Sequence, residues 1–329
     1  MVRPLDEQWY RPGLLPLVLL PVAGLYCLVV AARRRAYRMG LLARHRLSVP
    51  VIIVGNITVG GTGKTPLVVW LAQLLAQAGY RPGLVARGYR GRARHWPQQV
   101  RPDSDPQVVG DEAVLLARRC RCPMAVGPDR VAAARALLEH SDCDVILSDD
   151  GLQHYALERD IEIAVVDGVR RFGNGHCLPA GPLREPRGRL AQVDLLVSNG
   201  PGLGMEHPMT MRLGAARALD DPERERPLTE FRGRRVHAVA GIGNPQRFFS
   251  ALRGLGIEVE PHPFPDHHDF SAADLEFPDQ APVLMTEKDA VKCVRFAAPD
   301  RWYVPASAAP DERLGPEILA LLERVERRG

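Results

Sequence analysis

Residues 50–79, PVIIVGNITVGGTGKTPLVVWLAQLLAQAG, combine the patterns of a strand, a glycine-rich turn and a helix. The β-branched run at residues 50–54 is typical of a buried parallel strand, and apolar residues recur at helical spacing over residues 64–78. Gly79 is a typical helix end. Glycines before a helix N-terminus let backbone N–H groups approach a bound anion closely. The stretch therefore predicts a phosphate-binding loop within an α/β fold.

The loop departs from the usual phosphate-binding consensus at one position. That consensus is glycine, any four residues, then Gly-Lys followed by Ser or Thr, and a threonine occupies the place of the first glycine. Adjacent glycines later in the loop compensate, and a turn made for packing alone would not need Lys-Thr next. We therefore predict that the loop binds the phosphates of a nucleotide, through Thr58, Gly60, Gly61, Thr62, Gly63, Lys64 and Thr65.

Strands and helices alternate along the rest of the chain, which predicts a parallel sheet covered by helices on both faces. After the loop, strands are predicted at residues 83–86, 122–127, 144–149, 161–167 and 193–199, and helices at 111–119 and 129–140. A charged, proline-bearing stretch at 218–235 is interpreted as a linker, and a second alternating unit follows it. The predicted domains are a P-loop domain at 41–225 and a smaller α/β domain at 226–329, both after an N-terminal segment at 1–40.

The N-terminal segment predicts contact with a membrane. Residues 13–32 form a run of 20 residues without a charged side chain. A helix of this length is about long enough to span a bilayer. An arginine cluster follows at 33–38. Pro16 and Pro21 would interrupt a straight span, so a helix lying in the membrane interface is as good an interpretation as a crossing. A buried core helix is a third alternative. In both membrane interpretations the arginines face anionic headgroups on the cytoplasmic side.

Bulk composition excludes some classes of protein. The 46% hydrophobic and 25% charged content argues against disorder, and a net charge of +4 gives no reason to expect nucleic acid as a partner. The six cysteines lack the paired spacing of a structural zinc site and fit reduced thiols. Of 43 basic residues only Lys64, Lys288 and Lys292 are lysine. Because arginine cannot replace a compact ammonium between phosphates, these lysines are candidates for function.

Acidic residues stand where phosphoryl transfer would need them. Asp149 and Asp150 close a predicted strand, at the sheet edge where α/β proteins bind ligands, and with Thr65 they predict a Mg²⁺ site. Asp111 begins a predicted helix and is a candidate to accept a proton, although acids are also favoured there by the helix dipole. The Asp-His-His-Asp cluster at 266–269 could bind metal, shuttle a proton or lie in a solvated loop, and its spacing does not decide between these.

Short motifs with distinctive sequences are spread along most of the chain. In chain order they are VGNITVGGTGKTP (54–66), RGYR (87–90), VGDEA (109–113), SDDGLQH (148–154), FGNG (172–175), LPAGPLRE (178–185), FPDH (264–267) and TEKD (286–289). Together they resemble one family, the tetraacyldisaccharide 4′-kinases of lipid A biosynthesis, and the combination is more specific than any single motif.

The resemblance implies an ATP- and Mg²⁺-dependent kinase at the cytoplasmic face of the inner membrane. Its acceptor would be the 4′-hydroxyl of a tetraacylated glucosamine disaccharide 1-phosphate, and its active site would lie in a cleft between two α/β domains. Matching positions make Lys64 and Thr65 ligands of the phosphates and Mg²⁺, and Asp111 a general base paired with His267. The other positions implied near nucleotide and metal are Asp149, Asp150, Gln153, Arg130, Arg184 and Glu185.

Two rival functions remain open from the residues alone. The loop spacing also resembles that of MinD/ParA-type membrane ATPases, but these carry a signature lysine where this chain has Val59. A non-enzymatic, nucleotide-binding membrane scaffold would need neither Asp111 nor His267. We therefore favour the kinase.

Overall fold

The computed structural model describes residues 9–10 and 13–327, which form two β-sheets with helices packed against them. The helices are α1 (Leu14–Val18), α2 (Leu20–Arg38), α3 (Lys64–Gln77), α4 (Pro106–Val109), α5 (Asp111–Cys120), α6 (Arg130–His140), α7 (Pro245–Gly254), α8 (Glu287–Cys293) and α9 (Leu314–Glu326). Short 3₁₀ helices cover Arg187–Gln192, Leu228–Phe231, Ala272–Leu275 and Val294–Phe296. The strands are β1 (Val51–Gly55), β2 (Pro82–Ala86), β3 (Gln98–Gln99), β4 (Met124–Val126), β5 (Val145–Asp149), β6 (Ile161–Asp167), β7 (Leu195–Asn199), β8 (His207–Leu213), β9 (Ala216–Ala218), β10 (Glu225–Arg226), β11 (Arg235–Ala240), β12 (Glu258–Pro263), β13 (Val283–Thr286), β14 (Arg301–Val304) and β15 (Ala306–Pro310).

The larger sheet has nine strands in the order β15-β8-β7-β6-β1-β5-β2-β4-β3. The strands from β8 to β4 are parallel, and β15 and β3 pair antiparallel at the two edges. Strand β1 is buried throughout because both of its faces are covered. Ile52 and Val54 pack with residues of α3, α5 and α9, whereas Val51 and Ile53 pack with residues of α6. The predicted helix-covered parallel sheet is confirmed.

The smaller sheet has six strands in the order β10-β9-β14-β13-β11-β12. The chain passes from the larger sheet after β8 and returns to it at β15, and α9 then packs on the core of the larger sheet. The linker interpretation of residues 218–235 is wrong, because β10 and a 3₁₀ helix lie there and Leu228 and Phe231 are buried in the smaller core. The domain limits at 40 and 225 remain a prediction.

The N-terminal segment forms two helices rather than one. The break falls at Leu19, just before Pro21, which has no N–H to continue a helical hydrogen-bond ladder. Ala23 is the buried residue of α2, so the alternative of a buried core helix is wrong. Within residues 9–10 and 13–327, no helix is both long and apolar enough to cross a membrane. Residues 1–8 and 11–12 of the predicted segment lie outside the described residues.

Candidate active site

A cleft of about 1140 Å³ lies where the carboxyl ends of strands from the two sheets face each other. The larger sheet contributes the loop after β1, the end of β5 and the start of α5, and the smaller sheet contributes the turn after β11 and the start of α8. The loops approach closely, since a Cβ added to Gly243 would lie 3.1 Å from the backbone nitrogen of Gly61. Parallel α/β sheets bind ligands at this edge, so the cleft is the candidate active site.

The glycine-rich loop is held from beneath by two asparagines. Asn199 Nδ2 donates to the Thr62 carbonyl at 3.0 Å, and Asn56 Nδ2 donates to Thr62 Oγ1 at 3.2 Å. The Thr58 hydroxyl lies 3.5 Å from the same Asn56 amide and is buried under the loop. Gly63 has φ of 92°, and a Cβ there would lie 2.4 Å from Asn199 Nδ2. Thr58 therefore supports the loop, and the steric need for glycine falls later in it.

Cationic side chains surround the carboxylate of Asp150 beside the loop. Lys64 Nζ lies 3.3 Å from Asp150 Oδ1, and Arg184 Nη1 donates to both Asp150 oxygens at 2.9 and 3.1 Å. Burial alone would raise the pKa of Asp150, but Lys64 and Arg184 outweigh burial and hold this pKa well below its usual range. The buried Arg130 donates to the Asp150 carbonyl at 3.4 Å. Guanidinium and ammonium groups at one loop suit phosphate oxygens.

Asp149 is more buried than Asp150 and has fewer hydrogen-bond partners. Its Oδ1 is buried and has no hydrogen-bond partner among the described residues. Burial is the main reason that the pKa of Asp149 is raised to about 7, and the Glu112 and Asp150 carboxylates add to the rise. A buried, partnerless carboxylate oxygen fits the ligand position of a hard divalent cation. Thr65 lines the same cleft, so the residues present fit such a cation.

Glu185 acts on the site through Gln153. Gln153 lines the cleft, and its Nε2 donates to Glu185 Oε1 at 2.9 Å and to the Asn56 carbonyl at 3.0 Å. Glu185 is fully buried and also accepts a hydrogen bond from Tyr155. We therefore interpret Glu185 as a residue that positions Gln153 rather than one that touches the ligand.

Asp111 and His267 meet across the cleft from the two sheets. His267 Nδ1 lies 3.1 Å from Asp111 Oδ2, although the residues are 156 positions apart. Asp111 begins α5, and the Glu112 backbone N–H donates to its Oδ1 at 2.9 Å. His267 has φ of 61°, and Arg90 fixes this conformation by donating to the His267 carbonyl at 2.8 Å. Because Asp111 accepts through both oxygens, the imidazole proton is assigned to Nδ1.

Two lysines of α8 lie beside this pair and form ion pairs with the surrounding carboxylates. Lys288 Nζ donates to Glu112 Oε1 at 2.8 Å and lies 3.4 Å from His267 Nε2. Lys292 Nζ lies 3.1 Å from Asp289 Oδ1 and 3.9 Å from Asp111 Oδ2. Burial would raise the pKa of Asp111, but the His267 hydrogen bond and the lysine charges lower it to about 2. The carboxylate of Asp111 is therefore ionised across the physiological range of pH.

The structure brings most of the predicted site residues to one cleft. Thr58, Asp111 and Glu185 lie behind its lining, and the other predicted residues line it directly: Gly60, Gly61, Thr62, Gly63, Lys64, Thr65, Arg130, Asp149, Asp150, Gln153, Arg184 and His267. Sequence reasoning missed the supports Asn56 and Asn199. It also missed Arg170, whose Nη2 donates to the Gly61 carbonyl at 2.8 Å. Asn56 lies inside the VGNITVGGTGKTP motif and could have been found, whereas Asn199 is a single asparagine at the end of a strand.

A phosphate-binding loop after the central parallel strand, with basic and acidic side chains around one cleft, defines a P-loop nucleotide-binding protein. Residues 15–323 match the family described as tetraacyldisaccharide-1-P 4′-kinase, so the chain belongs to that family. It is 60% identical to the tetraacyldisaccharide 4′-kinase of Nitrosococcus oceani over 322 residues, which cover 98% of this chain and 95% of the relative. It is 53% identical to the enzyme of that name from Methylobacillus flagellatus over 323 residues, covering 98% of this chain and 96% of the relative.

The chain is also similar to a solved structure of known identity. That structure is the "apo" form of LpxK from Aquifex aeolicus in complex with ATP, with a TM-score of 0.78 and 29% identity. The match covers 94% of this chain and 99% of the other. Family membership favours the kinase over the MinD/ParA-type alternative and over a non-enzymatic scaffold.

Proposed function

We propose that this protein transfers the γ-phosphoryl group of ATP to the 4′-hydroxyl of a tetraacylated glucosamine disaccharide 1-phosphate, with Mg²⁺ as cofactor. One observation carries the proposal. The phosphate-binding loop of the larger sheet and His267 of the smaller sheet line one cleft, and His267 contacts Asp111 just behind the lining. A kinase needs its donor phosphate and an oriented acceptor close together, and such a cleft provides both.

On the phosphate side, loop N–H groups and Lys64 hold the β- and γ-phosphates, with Lys64 exchanging its Asp150 partner for phosphate oxygens. Arg184 and Arg130 stabilise charge on the transferring group. Asp149, Asp150 and Thr65 would hold Mg²⁺. Among these three, Asp149 has a buried carboxylate oxygen without a hydrogen-bond partner among the described residues. The bound ion neutralises phosphate charge and helps to align the donor.

On the acceptor side, Asp111 accepts the proton of the 4′-hydroxyl while the oxygen bonds to phosphorus and ADP leaves. His267 holds the carboxylate through Nδ1 and lines the cleft beside Asp111. Lys288 lies near the other ring nitrogen of the imidazole, Nε2, and Lys292 adds positive charge near Asp111. General base catalysis by such a group contributes about 10²- to 10⁴-fold in rate.

The test is transfer of γ-³²P from ATP to a tetraacyldisaccharide 1-phosphate. Asp111→Asn should lower kcat by about 10²- to 10⁴-fold, because the amide cannot accept the proton. Asp103→Asn, at an exposed aspartate, is the matched control and should keep wild-type activity. No lipid product from the wild type would refute the kinase, and a fully active Asp111→Asn would refute the base.

We further propose that α1 and α2 lie on the cytoplasmic face of the inner membrane and bind its lipids. Their exposed side chains include Leu14 at 80%, Leu25 at 62% and Leu28 at 65% exposure. Leu25, Leu28 and Val29 follow helical spacing, so they form one apolar stripe. Contiguous exposed apolar surface is typical of a membrane-binding face, and the arginines that end α2 suit anionic headgroups. The helix lies beside the cleft, where Tyr26 donates to the Arg184 carbonyl at 3.1 Å.

Vesicle flotation tests the membrane proposal. Replacing Leu25, Leu28 and Val29 together by serine should weaken binding to anionic phospholipid vesicles at least tenfold, since burying one leucine side chain is worth about 1.5–3 kcal/mol. The control replaces Val169, Leu203 and Met205, which are also exposed but lie elsewhere in the chain. Unchanged vesicle binding by the first triple variant would contradict the proposal.

A further inference from the structure

A cluster of two histidines and a glutamate lies at the edge of the smaller sheet, outside the proposed active site. Strands β11 and β12 pair in parallel with His237 opposite Glu260. Because strand side chains alternate between faces, His262 projects on the same face as Glu260. His237 Nδ1 lies 3.0 Å from His262 Nε2 and 3.8 Å from Glu260 Oε2. One ligand atom from each residue lies within 4.8 Å of the others, so a single ion can reach all three.

Asp279 orients the buried histidine of this cluster. His237 Nε2 lies 2.7 Å from Asp279 Oδ1. A carboxylate only accepts, so the proton of the neutral imidazole is placed on Nε2 and the Nδ1 lone pair points at His262 and Glu260. Metal-binding histidines are typically held by a carboxylate on the far nitrogen in this manner.

An aromatic ring and an arginine lie against the cluster. The Phe277 ring stacks on His237 with centroids 3.9 Å apart and lies 4.3 Å from the His262 ring. Arg235 opposes a cation, because its guanidinium contacts Glu260 and lies 3.3 Å from Asp279. Its side chain is 59% exposed, so it can turn toward solvent.

We propose that His237, Glu260 and His262 bind a divalent transition metal ion of the zinc class, with water in the remaining position. Two imidazoles and a carboxylate are a common zinc ligand set. The ion would fasten the edge strand β12 to β11, and β12 ends at Pro263, shortly before His267. The site is separate from the proposed Mg²⁺ position and does not depend on the kinase proposal.

Calorimetric titration of the full chain with Zn²⁺, without nucleotide or Mg²⁺, tests the site. We expect about one high-affinity Zn²⁺ per chain, loss of this binding in His262→Ala, and binding about 10- to 100-fold weaker in Asp279→Asn. Arg235→Gln should bind more tightly, because it removes a competing positive charge. His140→Ala, at an exposed histidine on α6, is the control and should bind as the wild type does.

A second variant separates lost ligation from lost folding. His262→Cys should restore binding and give Co²⁺ an intense thiolate charge-transfer band, which a merely structural role would not produce. Absence of saturable Zn²⁺ binding in the wild type would overturn the proposal. Unchanged binding in His262→Ala would also overturn it, as would binding that is lost in His267→Ala but kept in His262→Ala.

Discussion

The two sides of the cleft are built in different ways. The phosphate side comes from one continuous loop, Gly60–Thr65, and from the ends of strands of the larger sheet. The acceptor side pairs Asp111, at the start of α5, with His267, which follows β12 of the smaller sheet. Local backbone geometry sets the first side, whereas the approach of two sheets sets the second. The acceptor side should therefore depend more on contacts between the sheets than the phosphate side does.

Two of the three lysines of this arginine-rich chain line the cleft, and the third, Lys292, lies behind the lining near Asp111. Lys64 stands on the phosphate side beside Asp150, and Lys288 and Lys292 stand around the acceptor pair. A compact ammonium fits between several oxygens in a way that a planar guanidinium does not. The rarity of lysine was therefore an informative signal in the sequence.

A loss comparable to that of Asp111→Asn should come from the phosphate side. Lys64→Arg keeps the charge but cannot place it between the β- and γ-phosphates, so we expect kcat to fall on the order of 10³-fold. Steady-state kinetics with ATP and the lipid acceptor measure this, and binding of a fluorescent nucleotide reports whether the loop still folds. Activity within tenfold of the wild type would mean that charge alone suffices, and the contrast between the two sides would weaken.

A smaller effect should follow from His267→Gln on the acceptor side. Glutamine can still donate to Asp111, so we expect kcat to fall about tenfold, less than in Asp111→Asn. The pKa of Asp111 should rise from about 2, because burial raises it and the His267 hydrogen bond no longer lowers it as much. The wild-type carboxylate is ionised above about pH 2, so the acidic limb of kcat/KM should move to higher pH in the variant. A loss larger than that of Asp111→Asn would instead make His267 Nε2 the proton acceptor.

The phosphate side could be predicted from sequence because its signals are local. The β-branched run, the glycines and the helical periodicity lie within residues 50–79, and the predicted helix 64–78 differs from α3 by one residue. The acceptor pair gave no such signal. Asp111 and His267 are 156 positions apart, and only the family resemblance joined them.

Several elements, including the edge strand β15, were missed from the sequence for a related reason. Strand β15 has the sequence ASAAP, without β-branched or aromatic residues, and it is a strand because it pairs with β8 across the sheet. Strands β8 and β12 and helix α9 also fell outside the predicted elements. The role of Asn199 depends on where the register of β7 against β6 places its amide under the loop. Tertiary pairing decides these features, and periodicity in one segment does not report it.

The smallest predicted effect concerns protons at the Mg²⁺ position. The pKa of Asp149 is raised to about 7 mainly by burial, so the carboxyl is largely protonated at pH 6 and ionised at pH 8 without metal. A bound cation requires the ionised form, so binding of Mg²⁺ and nucleotide should release up to about one proton at pH 6 and almost none at pH 8. Calorimetry in buffers of different ionisation enthalpy measures this release, and Asp149→Asn should lower it to the amount that the terminal phosphate of the nucleotide releases on its own. Equal release at both values of pH would place the titrating group elsewhere. Release that persists in Asp149→Asn while Asp150→Asn removes it would assign the metal to the carboxylate that Lys64 and Arg184 already hold.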